Sequence, residues 1–574
     1  MSMKQKLRKL IAALLILALA AGVSGCGAAR PEPELPQLSA PAAPVPAETE
    51  PEEAPAAAEE PAGEAPQTPA EEPAAEEPAQ PEAPAAEEPA EEVPGPETEP
   101  ATEPEPEPEP EPSPMVALCR YYTRQREWDD EHGLLASCSY PVLSLSEESA
   151  ARWPKLAQAV SELSDELDEN GRAFLPELAG WAREELEYNP DYFTAFYDEV
   201  NATVRRADER VLSLLMQGSS YTGGVHPNYG WSGINLDPAT GEELEITDVV
   251  TDVAGLLALV EARLPELYPE TTFFSLHDSL QTYVDEPEYL SWTLDYQGVS
   301  VWFSPYEIAS YADGMLTVLV PFDQAPELFI GGYDQTPEHY AVEMEYYDVL
   351  RFDLDGDGTQ DTLQSWGEMN EYGDYESVTF AVNGTQTRFP LHAFRLQPTL
   401  VYLGPGQTYL YLETLVENDY SDLYFYQVMP GGTLTLGEQF CGIEGVFTDP
   451  DCFQLSERTD LLSTMWMART CHVGPDGLPV PESADYAILS KLPLTVKTPF
   501  TADQLDADGQ TVLGQTELPV GTVCTPLRTD GESWVTVQAS DGQQYRLEVN
   551  ADAWPHRVNG LELEEAFDGV LFAG

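Results

Sequence analysis

The chain has 574 residues, and its 102 Asp and Glu outnumber its 26 Lys and Arg, which gives a formal net charge of −76 at pH 7. Nucleic-acid binding needs a basic face that contacts phosphates, and the few Lys and Arg form no basic run, so the composition argues against a nucleic-acid partner. The same charge favours cations and basic proteins as partners.

The N-terminus has the order of a secretory signal peptide, because four basic residues between positions 4 and 9 precede an apolar run at residues 10–23. This run is shorter than the about 20 apolar residues of a membrane-spanning helix. Val23-Ser24-Gly25-Cys26 resembles the cleavage box of bacterial lipoproteins. The resemblance implies a signal peptide at residues 1–26 and a diacylglyceryl lipid on Cys26 that anchors the protein to the extracellular face of the membrane. An ordinary cleaved signal with a chance cysteine is the alternative.

Residues 27–114 are predicted to be a disordered tether. From position 30 onward they are almost only Pro, Glu and Ala, with roughly 25 glutamates, and they lack the apolar surface that would offset the entropy of ordering. Proline and the repulsion between glutamates favour an extended spacer. Such a spacer would hold the folded part away from the membrane, and a solubilising tail is the alternative interpretation.

Six cysteines follow Cys26. Cys119 and Cys138 lie in two segments predicted to be neighbouring strands, so they could form a disulfide, and Cys441 with Cys452 is a second candidate pair. Buried free thiols explain the same residues equally well.

The first folded region is predicted at residues 115–325, with an α+β architecture in which an antiparallel sheet is combined with helices. Apolar residues recur at three- and four-residue steps through 153–167, which predicts a helix. A second helix is expected at 173–188, before Pro190, and a third at 253–267. Strand-like segments occupy residues 116–122, 134–143, 197–206, 211–221, 299–304 and 315–322.

Three motifs in this region resemble an uncharacterised α+β domain family. They are Tyr221-Thr-Gly-Gly-Val-His226, then Ile234-Asn-Leu-Asp237 with Thr240-Gly-Glu242, then Trp302-Phe-Ser-Pro-Tyr-Glu-Ile-Ala309. Members of the family form the extracellular half of a lysozyme-sensing anti-sigma factor and precede the catalytic domain of a peptidoglycan deacetylase. The resemblance implies the fold. By analogy it also implies a surface that binds either cell-wall peptidoglycan or a cationic protein such as lysozyme.

Tyr221, His226 and Tyr306 are the candidate ligand-binding residues of this region. Gly223 and Gly224 favour a tight corner at a strand end, and His226-Pro227 continues it as a stiff turn. A structural, hydrogen-bonded histidine and strand-core tyrosines are the competing interpretations, because no second His or Cys lies nearby in sequence.

The second region, residues 337–492, is predicted to be β-rich and to contain a calcium loop. Aspartates occupy positions 1, 3, 5 and 9 of the loop, Gly358 occupies position 6 and the carbonyl group of Thr359 falls at position 7, so oxygen atoms could surround a hard cation. The predicted ligands of a structural Ca²⁺ are Asp353, Asp355, Asp357, Thr359 and Asp361. Position 12 is Gln364 instead of the EF-hand glutamate, and a metal-free Asp-Gly turn is the alternative.

The last region, residues 498–574, has short strands separated by Asp-Gly and Pro-Val-Gly turns. The segments Leu518–Val523, Asp530–Val537 and 541–545 resemble a bacterial SH3-like β-barrel, a module often used on cell-wall peptides. By this resemblance Trp534 and Tyr545 would line a groove, although aromatic side chains at such positions are more often core.

No catalytic motif is found, since the chain has no Gly-x-Ser-x-Gly elbow, no His-Glu-x-x-His and no phosphate-binding Gly-Lys loop. The sequence therefore predicts a non-enzymatic, lipid-anchored surface protein that binds peptidoglycan or a cationic wall-lytic protein. An envelope hydrolase that acts on wall glycans through a pair of carboxylates is the alternative.

Overall fold

The computed structural model describes residues 113–345, 348–357 and 359–572. The predicted signal peptide, the lipidation site Cys26 and the predicted tether up to residue 112 lie outside this part of the chain. Within the described ranges, no helix combines the length and the hydrophobicity needed to span a bilayer.

Helices are concentrated in the first half of the described chain. They are α1 (Glu147–Arg152), α2 (Pro154–Tyr188), α3 (Ile246–Val249), α4 (Val253–Leu267), α5 (Leu276–Asp285) and α6 (Leu563–Ala566). The sequence predicted two helices where α2 is one continuous helix of 35 residues with Pro176 inside it. Leu175 and Leu178, on either side of this proline, are buried, so packing holds the helix together where the local pattern predicted a break.

The first sheet has five strands in the order β1-β2-β3-β4-β5. Their bounds are β1 (Leu118–Asp129), β2 (Gly133–Leu145), β3 (Phe196–Ala207), β4 (Leu212–Tyr221) and β5 (Asn228–Leu236). The pair β2–β3 is parallel, with Ala136 opposite Phe196, whereas the other pairs are antiparallel. The predicted antiparallel sheet is thus a mixed one, because the connection between β2 and β3 is a crossover that contains α2.

The two faces of the first sheet have different environments. Val200, Ala202 and Val204 alternate along β3 and share one core with Leu156 and Val160 of α2. Successive side chains of a strand point to opposite faces, so the intervening positions of β3 point away from α2. That second face carries polar side chains and forms part of the candidate site.

A second layer consists of a three-stranded antiparallel sheet and two helices. Its strands are β6 (Ser291–Leu294), β7 (Gly298–Phe303) and β8 (Leu316–Pro321). Leu256 and Val260 of α4 share a core with Val299 and Val318 of this sheet. At Gly233 of β5, a Cβ atom would lie 1.7 Å from the Trp292 carbonyl oxygen, so only glycine lets β5 and β6 approach each other this closely.

The middle region is β-rich, as predicted, and contains two sheets. Their strands are β9 (Tyr340–Glu343), β10 (Leu350–Phe352), β11 (Asp361–Met369), β12 (Tyr375–Val382), β13 (Thr385–Ala393), β14 (Arg395–Tyr402), β15 (Thr408–Leu415), β16 (Ser421–Met429) and β17 (Gly432–Gln439). One sheet has the order β10-β11-β12-β13 and the other β17-β16-β15-β14-β9. Leu363 and Phe380 of the first share a core with Leu410 and Val428 of the second.

The remaining strands belong to one extended sheet. They are β18 (Gly442–Glu444), β19 (Phe453–Thr459), β20 (Met465–Val473), β21 (Pro479–Pro481), β22 (Tyr486–Ile488), β23 (Leu494–Val496), β24 (Phe500–Leu505), β25 (Val512–Leu518), β26 (Val523–Thr529), β27 (Trp534–Ala539), β28 (Gln544–Asn550), β29 (Arg557–Val558), β30 (Leu561–Glu562) and β31 (Phe567–Asp568). The main path runs from β18 to β25, and its two ends do not pair. Because β26 also pairs with β22, the C-terminal strands continue a larger sheet, and the described strands form no closed barrel.

The candidate disulfide between Cys119 and Cys138 is not formed, which agrees with the alternative of free thiols. Cys119 lies opposite Ser144 and Cys138 opposite Gln125, so the two cysteines are offset by six residues, or about 20 Å, along the hairpin. A disulfide requires Cα atoms within about 7 Å. The second candidate pair, Cys441 with Cys452, is not formed either, since every cysteine of the described chain is a free thiol.

Candidate functional site

A polar cleft of about 820 Å³ lies between the first sheet and the second sheet of the middle region. One wall comes from the face of β1–β5 that points away from α2, and the other from β9, β14 and β15. We call it the arginine cleft and define it by ten of its lining residues: Arg120, Tyr122, Arg124, Arg126, Tyr229, Trp231, Glu343, Glu345, Arg395 and Glu413.

The pleat of the strands brings these residues together. Positions 120, 122, 124 and 126 alternate along β1, so their side chains point to the same face. On the opposite wall, Gln397 lies directly across from Glu413 and Thr399 from Glu343. Two sheet faces with polar residues at a spacing of two therefore enclose a cleft at a place where apolar faces would form a core.

An ion pair between Arg120 and Glu343 connects the two walls. The guanidinium donates to both carboxylate oxygens, at 2.8 and 2.6 Å, and also to the Ala202 carbonyl oxygen. The Val204 amide donates to the same carboxylate at 3.1 Å. Both charged side chains are mostly buried, and this bidentate geometry is the strongest that Arg and Glu form. The pair is a fixed structural part of the cleft.

Two further carboxyl groups of the cleft are held in unusual environments. Burial raises the pKa of Glu345, although its carboxylate accepts a hydrogen bond from the Thr203 hydroxyl. Burial likewise raises the pKa of Glu413, whose Oε1 accepts the Ile443 amide at 3.0 Å. Desolvation disfavours the charged form of a carboxylate, and it is the largest influence on the pKa of both side chains.

The three ligand-binding residues predicted in the first region, Tyr221, His226 and Tyr306, lie in an aromatic cluster at one end of the cleft. We define the aromatic cluster as Tyr197, Tyr221, His226, Tyr229, Tyr306 and Tyr311. The ring centroids of Tyr229 and Tyr311 are 6.2 Å apart, and Tyr229 also lines the cleft. The Ser304 hydroxyl accepts the Trp231 amide at 3.1 Å, which ties the segment that carries Tyr306 to the cleft wall. The aromatic cluster is thus continuous with the arginine cleft.

His226 and Tyr306 both pack on Tyr311. The His226 ring stacks on Tyr311 at a centroid distance of 3.8 Å, and the Pro227 carbonyl oxygen lies 2.8 Å from His226 Nδ1 and 2.7 Å from the Tyr311 hydroxyl. Tyr306 lies 5.8 Å from Tyr311, remains 48% exposed and has φ +71°. A positive φ is uncommon for a side chain of this size, and strained residues of this kind concentrate at functional sites.

Tyr221 lies at the other end of the cluster. Its ring stacks on Tyr197 at 6.2 Å and meets Phe196 edge-on at 5.9 Å, and its hydroxyl donates to the Gly224 carbonyl oxygen at 3.2 Å. Gly223 and Gly224 both have φ +94°, as the predicted tight corner requires.

The calcium-type loop joins β10 and β11, where Phe352 lies opposite Asp361. Carboxylate oxygens of Asp353, Asp355 and Asp361 lie within 4.8 Å of one another. Backbone amides orient them: Asp353 Oδ1 accepts Gly356 N at 2.8 Å, and Asp361 Oδ2 accepts Leu354 N at 3.0 Å.

One of the four predicted carboxylate ligands, Asp357, lies outside that group, whereas Thr359 was predicted to bind through its backbone carbonyl oxygen. Asp357 Oδ1 accepts the Thr359 amide at 2.7 Å, and neither residue belongs to the three-carboxylate group. An all-oxygen donor set of three carboxylates still suits a hard cation such as Ca²⁺.

Trp534 and Tyr545 lie on adjacent strands but do not share a face. Val537 lies opposite Tyr545 and Trp534 opposite Glu548, so the pleat points the two aromatic rings to opposite sides of the sheet. Tyr545 belongs to the C-terminal core, and the Arg546 guanidinium lies 4.5 Å above the Trp534 ring. The two residues therefore cannot line a single groove.

The structure adds residues that the sequence interpretation missed. The arginines of β1 were overlooked because no two of them are adjacent in sequence, and a search for continuous basic runs does not detect alternation. The detectable signal was Arg120-x-Tyr122-x-Arg124-x-Arg126, a spacing of two that starts in the strand predicted at residues 116–122 and continues beyond its predicted end.

Comparisons with known proteins identify one domain of the chain. Residues 251–323 match the family described as "Protein of unknown function (DUF3298)". A crystal structure of a DUF3298 family member from Bacteroides fragilis is 14% identical and covers 38% of this chain and 96% of its own, with a TM-score of 0.30. A DUF3298 family protein from Pseudomonas aeruginosa is 17% identical and covers 39% of this chain and 98% of its own, with a TM-score of 0.27. Curated proteins give no match.

The chain therefore contains a DUF3298 domain at residues 251–323, which comprises α4, α5 and the sheet β6–β8. The expectation of an uncharacterised α+β domain agrees with this family. Its description assigns no activity, so the functional argument rests on the cleft and the aromatic cluster themselves.

Proposed function

We propose that this protein is a lipid-anchored binding protein of the bacterial cell surface that recognises cell-wall peptidoglycan. The observation that carries the proposal is the continuity between the aromatic cluster and the arginine cleft, which share Tyr229. The site thus combines aromatic rings with charged groups. Peptidoglycan has two corresponding parts, since its sugar rings can pack on aromatic side chains and its short peptides are charged.

The dimensions and composition of the site support such a ligand. Ligand sites typically enclose about 300–1,000 Å³ and combine aromatic walls with a few oriented polar groups, and the cleft volume of about 820 Å³ falls in this range. Tyrosine offers an apolar ring face and a polar hydroxyl in one side chain. Exposed Tyr306 would contact a sugar ring, while the cleft would bind the attached peptide.

Co-sedimentation of the full chain, purified in detergent, with insoluble peptidoglycan tests the proposal. We expect the wild type to sediment with the polymer and Tyr306→Ala to sediment several-fold less. Tyr372→Ala is the matched control, because Tyr372 is also an exposed tyrosine (79%) but lies in the turn between β11 and β12. Equal sedimentation of the two variants would contradict a role for the aromatic cluster, and failure of the wild type to sediment would refute the proposal.

The same assay distinguishes two other functions. Release of soluble muropeptides from the pellet would favour the envelope hydrolase. The net charge of −76 supports a cationic wall-lytic protein as a second candidate partner. Calorimetric titration with lysozyme at low and high salt measures that interaction, and heat with lysozyme but no sedimentation with peptidoglycan would replace the proposed ligand by the cationic protein.

The anchor on Cys26 is part of the proposal and has its own test. Mass spectrometry of the N-terminal peptide from a membrane fraction should detect a diacylglyceryl group on Cys26 after removal of the preceding residues. An intact, unmodified N-terminus would contradict both the anchor and the extracellular location.

A further inference from the structure

We propose that the arginine cleft is a carboxylate-binding subsite in which Arg124, Arg126 and Arg395 bind an acidic group of the ligand. This inference rests on the proposed function and adds to it the chemical class of the group that is recognised. It predicts that the acidic peptide portion of a wall fragment, and not the sugar alone, determines affinity.

The first argument is the presence of arginines without an ion pair in a strongly acidic protein. The chain has only 26 Lys and Arg, yet four arginines line this one cleft. Arg120 is neutralised by Glu343. Arg124 has a loose contact of 3.7 Å with Glu199, and both side chains are about half exposed. Among the described residues, Arg126 and Arg395 form no ion pair or hydrogen bond through their side chains, and Arg395 is close enough to Glu413 to oppose the rise in the pKa of that carboxyl group.

The second argument is the geometry of the three remaining arginines. Arg124 and Arg126 are two residues apart on the same face of β1, a separation of about 6.7 Å along the strand. Arg395 begins β14 on the opposite wall. A group held between the walls would be contacted from both sides, and guanidinium groups offer paired N–H donors that match a carboxylate.

The third argument is the charge of the surrounding carboxyl groups. Glu199, Glu345 and Glu413 are the other acidic groups that line the cleft, and burial raises the pKa of Glu345 and Glu413. The Arg120–Glu343 pair contributes no net charge. Glu199 lies near Arg124, so the arginines of the cleft without an ion pair are Arg126 and Arg395, and they lie within a strongly acidic protein. Guanidinium groups match carboxylate and phosphate equally well, so the choice of a carboxylate follows from the charged peptides of the proposed ligand, and the test includes phosphate as the competing anion.

The test uses the full chain and a matched pair of probes. N-acetylmuramyl dipeptide carries a free carboxylate, and its methyl ester has the same sugar and peptide without that charge. We expect the free acid to bind in calorimetry at low salt and the ester to bind at least ten-fold more weakly. Arg126→Gln and Arg395→Gln should each weaken binding of the free acid roughly ten-fold, the usual effect of losing a charge-assisted hydrogen bond, and leave ester binding unchanged.

A control variant and a competing anion complete the experiment. Arg557→Gln removes an arginine that is also about half exposed, from an ion pair with Glu562 outside the cleft, and should not change binding. Because Arg126 and Arg395 are exposed, their variants should keep the wild-type circular dichroism and melting temperature. Arginine-dependent binding of inorganic phosphate without binding of the free acid would make the cleft a phosphate site and overturn the inference.

The remaining outcomes separate this inference from the proposed function. Equal affinity for acid and ester, or unchanged affinity in both variants, would overturn the carboxylate subsite. If the chain sediments with intact peptidoglycan but does not bind the free acid, the subsite is refuted and the proposed function stands. If neither polymer nor probe binds, both are refuted.

Discussion

Replacement of Arg205 by methionine should destabilise the folded region more than any comparable surface change. Arg205 Nη2 lies 2.8 Å from Asp295 Oδ2, and its Nη1 lies 2.5 Å from Asp348 Oδ2. All three side chains are at most 4% exposed. Arg205 belongs to β3, Asp295 follows β6 and Asp348 precedes β10, so one guanidinium connects three segments that are distant in sequence.

The size of the effect follows from burial. Removal of one partner from a buried ion pair costs about 3–5 kcal/mol, because the remaining charge is left without compensation. Here two carboxylates would be left, and burial already raises the pKa of Asp348 even beside Arg205. Methionine has nearly the length of the arginine stem, so little of the loss would come from a cavity. We therefore expect the unfolding free energy to fall by about 3–5 kcal/mol.

Urea unfolding followed by tryptophan fluorescence measures this loss. Trp302 is a local reporter, since the Arg205 guanidinium lies 5.3 Å from the centre of its ring. Arg388→Met is the matched control: its Nη2 is also 2.8 Å from a carboxylate, that of Glu368, but both side chains are about half exposed. An exposed pair of this kind contributes up to about 1 kcal/mol.

The comparison of the two variants tests whether burial determines the contribution of an ion pair to stability. The Arg205–Asp295 and Arg388–Glu368 ion pairs have the same distance of 2.8 Å and differ in burial. A large loss of unfolding free energy in Arg205→Met with a small loss in Arg388→Met would therefore support the reasoning. Losses of equal size, or a loss below about 1 kcal/mol in Arg205→Met, would refute it.

Two further predictions concern the calcium-type loop and a buried aspartate. Millimolar Ca²⁺ should raise the melting temperature of the wild type but not that of Asp355→Ala. The control is Asp541→Ala, which changes an exposed Asp-Gly turn elsewhere in the chain and should keep the increase. No increase in the wild type would favour a metal-free turn. Burial, and secondarily Glu199, raises the pKa of Asp198 to about 7, so between pH 4 and 7 the folded state binds the extra proton and stability falls as pH rises. Asp198→Asn should remove this fall in stability, which amounts to about 1.4 kcal/mol for each unit of pKa difference. Urea unfolding of the wild type and the variant at pH 4 and 7 measures it. The same pH dependence in both proteins would contradict the prediction.

Elements that depend on local pattern were predictable from the sequence. The helix expected at residues 253–267 has those bounds in the structure. It was predictable because the apolar residues of its buried face recur at helical spacing along the chain. The corner at Gly223 and Gly224 was also predictable from a local pattern. Both residues have a positive φ, which glycine adopts more readily than other residues.

Features that depend on tertiary packing were not predictable. The parallel β2–β3 pair arises from the path of α2, and the interruption expected in α2 is overridden by packing on the sheet. Gly171 shows this, because a Cβ atom there would lie 2.2 Å from the Tyr140 ring. A sequence pattern that favours a helix break cannot reveal that a glycine is needed for close packing instead.

The candidate site was predictable in part. Tyr221, His226 and Tyr306 were singled out from a local motif and do belong to one aromatic cluster. The arginine cleft joins residues as distant as Arg120 and Glu343, which are 223 positions apart, and no local pattern specifies such a pairing. The alternation of arginines on β1 was the only part of the cleft that the sequence displayed.

Hydrogen–deuterium exchange of the full chain, with and without soluble peptidoglycan fragments, tests the central claim most directly. Amides that become protected on binding mark the contact surface. Our account predicts protection in β1, in residues 221–231 and in residues 304–313, which together carry the cleft wall and the aromatic cluster. Protection confined to residues 498–572, or no protection at saturating ligand, would contradict the account.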